Sequence, residues 1–307
     1  MYRTILVPVD GSSLAERVLP YARFLMQATR AKMILLHVVE TRPFADSEEI
    51  WDDMLAERGA EAYLTRLSTE LDGSATVDTA VIIGDPAQEI VNAVKVRGVD
   101  LIAMSTHGRS GLGRLIQLSV TDEVMRHASV PILLISPHCD RGWSSDRPFR
   151  ILVALDGSEL AEKALGPAAR LAETLGAELL LVRVVGQPPR VNIERTPNAL
   201  PDVVPDDEAV EAELYLERVA AALRATHRSV RTMVERGDPG EAIPATASAE
   251  EADLIAIAGH GRNGVARLVL GSVATRVVQE AGVPVLMVGS AVLSSKDPAI
   301  SREAAIR

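Results

Sequence analysis

Cysteine is almost absent: Cys139 is the one thiol in 307 residues. That excludes a disulfide scaffold and a thiolate metal centre. Aromatic residues make up only 3% of the chain, so its 47% hydrophobic content is nearly all aliphatic. Basic charge is outnumbered, with 32 Lys and Arg against 42 Asp and Glu for a net charge of −10. Both halves of the chain share the acidic excess, and neither carries the basic patch that a nucleic-acid partner requires. No apolar run approaches the roughly 20 residues that span a bilayer, so no membrane partner is expected. The opening segment turns polar at Asp10 and has no small-residue cleavage pattern, unlike a secretory signal. A soluble, cytoplasmic protein is the expectation. At roughly 100–200 residues per domain, the length predicts two domains.

What the chain has in abundance is self-similarity. Ile5-Leu-Val-Pro-Val-Asp-Gly-Ser12 returns as Ile151-Leu-Val-Ala-Leu-Asp-Gly-Ser158, and Leu36-His-Val-Val39 as Val182-Arg-Val-Val185. Gly84-Asp-Pro86 returns as Gly237-Asp-Pro239, and the match then runs through His107-Gly108 and His260-Gly261 to Pro131 and Pro284. Between Val99 and Ile135, 17 of 37 aligned positions are identical, which makes the chain two copies of one domain. The offset between copies grows from 146 to 153, so the second copy has seven extra residues. The Pro- and Asn-rich stretch Gly186–Asp207 is expected to hold them as a surface loop. The expected boundaries are 1–137 and 150–290 for the two domains, 138–149 for a linker and 291–307 for a C-terminal tail.

Within each copy, strand and helix signals alternate. Ile5–Val9, Met33–Val39, Thr76–Ile83, Leu101–Met104 and Pro131–Ile135 are apolar runs with little alternation, as in parallel strands covered on both faces. Leu14, Val18, Ala22 and Leu25 recur at helical spacing behind Ser12 or Ser13 as N-cap, and Pro20 inside that pattern predicts a kink. Ala56–Leu71, Ala87–Arg97 and Ser119–His127 supply the remaining helices. The prediction is an α/β fold of two tandem open, doubly wound, five-stranded parallel-sheet domains. With a flavodoxin-like strand order, the fifth strand of each copy lies at a sheet edge. The two edges are expected to cover each other in an intrachain pseudo-dimer. A homodimer of the whole chain is compatible with this, although no one segment argues for it.

Open parallel sheets bind ligands beyond the carboxyl ends of their strands, where strand order reverses. Asp10 and Asp156 stand directly after the first strand of each copy. Ser105-Thr-His-Gly108-Arg-Ser-Gly-Leu-Gly113 follows the fourth strand and leads to a helix beginning near Ser119. Its counterpart is Ala258-Gly-His-Gly261-Arg-Asn-Gly264, followed by Gly271-Ser272. A glycine loop entering a helix N-terminus offers backbone N–H groups and the positive end of a dipole, which suits phosphate. An aspartate at the first strand end can accept ribose hydroxyls or help hold a metal that bridges phosphates. Equally, the glycines can be ordinary turn punctuation and the aspartates can cap the Asp-Gly-Ser turn. Neither a Walker A loop nor a Rossmann fingerprint is present. His107 and His260 have no second group at a defined spacing for acid–base work, so loop hydrogen bonding is their reading. His138 is plain linker, and Trp51 and Trp143 read as packing residues. The acidic runs Asp46–Asp53 and Asp206–Glu213 suit helix starts, where the dipole favours carboxylates.

Asp-Gly-Ser after strand one, Leu-His-Val-Val in strand two, Gly-Asp-Pro before the third helix and Thr-His-Gly-Arg-Ser-Gly together resemble the universal stress protein family, in both copies. The resemblance implies an adenine-nucleotide alpha-hydrolase-like fold with ATP as ligand, with or without Mg²⁺. Nucleotide-binding members of that family carry Gly-x-x-Gly, nine residues, then Gly-Ser/Thr. Carried over, the second site comprises Asp156, Val184, Ala258, Gly261, Arg262, Gly271, Ser272 and Val273. The first comprises Asp10, Val38, Ser105, Gly108, Arg109, Ser119 and Val120. The resemblance puts the aspartates at the adenosine end and Val38 and Val184 against adenine; Arg109 and Arg262, read from the loop alone, can neutralise phosphate or simply stand solvated. The second copy departs from the motif at Ala258. The first has Ser105 there and Leu118 where the second has Gly271. Leu118 adds bulk where phosphate approaches, so ATP is expected to bind the second copy about tenfold tighter or more. The implied protein is a cytoplasmic stress-response factor that binds nucleotide in a regulatory rather than catalytic role. The alternatives are a slow Mg-dependent ATP hydrolase working through Asp156 and a nucleotide-independent interaction scaffold.

Overall fold

The computed structural model describes residues 1–40, 47–71, 76–106, 120–144, 146–186, 207–227, 229–259, 271–289 and 292. The first half runs β1 (Thr4–Pro8), α1 (Ser13–Glu16), α2 (Leu19–Thr29), β2 (Lys32–Val39), α3 (Ser47–Leu71), β3 (Val77–Ile83), α4 (Pro86–Val96), β4 (Leu101–Ser105), α5 (Val120–His127) and β5 (Ile132–Ile135). The second runs β6 (Arg150–Ala154), a 3-10 turn (Ala161–Ala164), α6 (Leu165–Leu175), β7 (Glu178–Val185), α7 (Asp207–Arg224), β8 (Val230–Arg236), α8 (Pro239–Ala249), β9 (Leu254–Gly259), α9 (Ser272–Glu280) and β10 (Val285–Gly289). The stretch expected to hold the insertion and the C-terminal tail lie almost wholly outside the described residues.

Each half lays its five strands parallel in the order 3-2-1-4-5. This corrects the flavodoxin-like order, which is 2-1-3-4-5. The fifth strand is at the edge in both arrangements. In the structure the two edges meet: β5 and β10 pair antiparallel, with Leu133 opposite Leu286, and join the halves into one ten-stranded sheet. Because that pairing is antiparallel, the strands of the two halves point in opposite directions. Their carboxyl ends therefore leave from opposite edges of the sheet.

Successive strand residues face opposite sides. Ile5, Val7, Leu35, Leu101 and Leu133 join one buried layer with Ile151, Val153, Leu181, Leu254 and Leu286. Leu6, Ile34, Ile102 and Leu134 join the other with Leu152, Leu180, Ile255 and Val285. Both layers are covered by helices, which is why the strand sequences are apolar throughout rather than alternating. Each layer crosses from one half to the other.

Helix ends follow local chemistry. Ser12 caps α1 by accepting a hydrogen bond from the Ala15 N–H at 3.1 Å. The irregularity expected at Pro20 falls just before it: α1 ends at Glu16 and α2 starts at Leu19, with Arg17 and Val18 still in right-handed helical conformation between them. Pro20 then sits in the first turn of α2, where a missing N–H leaves nothing unsatisfied. The repeated Gly-Asp-Pro has the same logic. Asp85 and Asp238 are N-caps, each followed by a proline at the first helical position.

The segment between the halves is pinned to both. Arg17 Nη2 donates to the Cys139 carbonyl and Tyr21 Oη to the Arg141 carbonyl, both at 2.9 Å. Ser136 Oγ donates to the Ala281 carbonyl at 3.1 Å. Trp143 Nε1 donates to the Asp253 carbonyl at 2.8 Å. The Trp143 ring meets Tyr21, Phe24 and Phe149 at centroid distances of 5.1, 5.6 and 5.2 Å.

Candidate functional site

In a 3-2-1-4-5 sheet the connections diverge between β1 and β4, and a crevice opens at their carboxyl ends. In the first half this is a cleft of about 160 Å³. Asp10 and Ser12 enter it from the turn after β1, Val38 from β2, Glu40 from just beyond β2, Ser105 from β4, and Val120 and Thr121 from the start of α5. Leu36, Ile90 and Met104 add apolar surface. Four of the first-site residues named from sequence, Asp10, Val38, Ser105 and Val120, thus line one cleft. Gly108, Arg109 and Ser119 lie outside the described residues. Glu40 and Thr121 were not singled out from sequence. Their only signal there was adjacency, Glu40 following the Leu-His-Val-Val strand and Thr121 following Val120.

The Asp-Gly-Ser turn is built identically in both halves. Gly11 has φ +85° and Gly157 φ +89°, left-handed values that favour glycine. Asp10 Oδ1 accepts from the Ser12 N–H at 2.9 Å, and Asp156 Oδ1 from the Ser158 N–H at 2.8 Å. Ser158 Oγ in turn accepts from the Ala161 N–H at 3.1 Å. One carboxylate oxygen closes the turn while the Asp10 side chain still borders the cleft, so the two readings of this aspartate are compatible. Ser105 Oγ donates to the Ala15 carbonyl at 3.3 Å and ties the end of β4 to α1. Ala258, its counterpart, has no hydroxyl for that bond.

In the second half, Val184 and Val273 pack against the same buried layer as Val38 and Val120 do in the first. Gly271 is the N-cap of α9 and Ser272 its first residue. The Gly271 φ of −54° is open to any residue, so backbone conformation does not explain the glycine there. Gly261 and Arg262 lie outside the described residues. Among the described residues, no group of three or more His, Cys, Asp and Glu could hold a metal ion.

Behind each Asp-Gly-Ser turn, on the opposite face of the sheet from the cleft valines, sits a polar cluster that sequence reading missed. The His37 ring lies edge-on to Tyr63 of α3 at 5.9 Å. Burial pushes the His37 imidazole below its usual pKa, with the Asp10 carboxylate pulling the other way. Burial, reinforced by Glu16, lifts the Tyr63 phenol to about 12. In the second half Arg183 replaces His37, and its guanidinium lies 5.3 Å from the Tyr215 ring centroid. Burial and Glu162 likewise raise the Tyr215 phenol. No sequence signal marked Tyr63 or Tyr215, because only the packing of α3 and α7 brings them to the turn.

The universal stress protein family model matches residues 1–136 and 149–289. A universal stress protein of Mycobacterium tuberculosis is 26% identical over 298 residues, covering 92% of this chain and 96% of that one. A shorter one from Methanocaldococcus jannaschii is 29% identical over 140 residues, 44% of this chain and 82% of its own length. Among solved structures, a universal stress protein from Archaeoglobus fulgidus shares the fold with a TM-score of 0.70 at 22% identity, covering 93% of this chain and 98% of that one. With both halves matched and the relatives spanning nearly the whole length, this chain belongs to the universal stress protein family as a tandem of two such domains.

Proposed function

We propose that the chain is a cytoplasmic stress-response protein whose halves bind adenine nucleotide, in a regulatory rather than catalytic role. The observation that carries the reading is the convergence of Asp10, Val38, Ser105 and Val120 on one cleft at the strand-order switch point. These are positions that the family resemblance assigns to nucleotide. The residues fit such a group. Val38, Leu36 and Ile90 offer apolar surface to a base, and Asp10 accepts hydrogen bonds from hydroxyls. In the second half, Gly271 brings no side chain to the α9 N-terminus, where Ser272 Oγ and backbone N–H groups suit phosphate. Mg²⁺, when bound, would neutralise phosphate oxygens, with Asp156 the carboxylate available to help hold it. The described lining of the cleft pairs none of its hydroxyls, on Ser12, Ser105 and Thr121, with a Lys or His base. Binding the ground state alone does not accelerate chemistry.

Mass spectrometry of whatever heat releases from the purified protein, followed by calorimetric titration with ATP and AMP, tests the reading. Adenine nucleotide in the first experiment or saturable heat in the second supports it. Absence of both contradicts it. ATP turnover is expected far below the typical enzyme value of about 10 s⁻¹, and turnover near that value would restore the hydrolase alternative.

A further inference from the structure

We propose that the residue behind the site aspartate, His37 in the first half and Arg183 in the second, sets the charge of each site and so decides which half accepts an anionic ligand at a given pH. The proposal rests on the nucleotide reading of these sites and adds to it a division of labour between them.

His37 and Arg183 hold the same place in the second strand of each half, in Leu36-His-Val-Val39 and Val182-Arg-Val-Val185. The groups facing His37 are Asp10 and the Val9 main chain from the end of β1, and Tyr63 from α3. Beyond the Tyr63 ring lie Arg66, 5.4 Å from its centroid, and Glu16 of α1, which Arg66 pairs at 2.9 Å. Arg66 is thus neutralised locally by Glu16. His37 Nδ1 is shielded from solvent, and the Val9 main chain is the polar group set against the ring. In the second half, Arg183 leans on Tyr215 and passes under the Asp-Gly-Ser turn. Its Nη1 comes within 3.2 Å of where a Cβ on Gly157 would stand. Asp156 and Glu162 are the carboxylates of that cluster.

Guanidinium stays charged at every physiological pH, so the second half always has a cation beside Asp156. The half-buried imidazole of His37 has its pKa held below the ordinary 6.5, which favours its uncharged form at neutral pH. His37 stands behind the described lining of the first cleft, which holds two carboxylates, Asp10 and Glu40, and no cation, so its charge reaches the cleft through Asp10. The sign follows directly. An anion favours the protonated form of His37, so binding raises that pKa, and at constant ligand charge first-half affinity for the anion climbs as pH falls through it. Arg183 gives the second half no such dependence.

The test is imidazole NMR on the full-length chain, with His37 identified among the 6 histidines by the signal that disappears in His37→Gln. The His37 midpoint is expected below the ordinary value of about 6.5, lower still in Asp10→Asn, and higher when AMP is added. His37→Arg should tighten AMP at the first half at pH 7.5 by about threefold, the scale of one unit charge acting across a partly exposed cleft. A midpoint unmoved by Asp10→Asn overturns the proposal, as does AMP saturating the first half without shifting it. If AMP perturbs neither half, the nucleotide reading fails. The Asp10→Asn arm then decides the His37–Asp10 coupling alone, a shift supporting it and no shift overturning it.

Discussion

Asp10 and Asp156 show how one carboxylate serves a turn and a site together. The turn bond is a single exposed hydrogen bond, so Asp156→Ala should lower stability by only about 1 kcal/mol in thermal denaturation. Gly271 separates fold from function in the same way. Its φ of −54° accepts leucine, so Gly271→Leu should melt within a few degrees of the parent while losing about tenfold or more of the second-half ATP affinity. Leu118→Gly should strengthen the first. Calorimetry and a melting curve on the same samples check both statements, and equal loss of stability and binding would contradict them. These residues were legible because the chain states them twice, and duplicated Asp-Gly-Ser stands out against unrelated surroundings. His37 and Tyr63 were not legible as a pair, since 26 positions separate them and only the docking of α3 joins them.

At the scale of elements, the strands were readable and the segment between the halves was not. Burial on both faces makes β1, β2, β4 and β5 continuous apolar runs, a local signal. Strand order depends on which edges pair, a non-local matter that left the flavodoxin-like order as easy to write as the observed one. The inter-half segment has no periodicity because it packs as single anchors rather than as a helix or strand. Trp143 fills a pocket made by Tyr21 and Phe24 of α2 and by Phe149, and donates to the Asp253 carbonyl. Asp253 is buried, receives the Arg150 N–H at 2.9 Å and pairs with Arg147. Trp143→Ala should therefore destabilise the protein by about 3 kcal/mol, the order for removing a large packed aromatic, as read from denaturant unfolding. A change under about 0.5 kcal/mol, typical of surface substitutions, would show that the segment is a mere tether.

The described residues form one sheet with two layers of core, each shared by both halves. The chain should consequently unfold in a single calorimetric transition with matching van't Hoff and calorimetric enthalpies. Two separated transitions would mean that the β5–β10 pairing and the Trp143 cluster do not couple the halves. The antiparallel join also sends the two sites to opposite edges of the sheet. No one small ligand can bridge them, so each half is free to differ from the other in affinity and pH response. The second half combines Gly271-Ser272 at the α9 N-terminus with a permanent cation, Arg183, beside the Asp156 turn. The first has Leu118 in sequence and the titratable His37. Calorimetric titration of the full-length chain with ATP at neutral pH tests this account most directly. It should give close to one tight site per chain, abolished in Asp156→Ala and retained in Asp10→Ala. Two equal sites, a tight site that survives Asp156→Ala, or no heat of binding would contradict it.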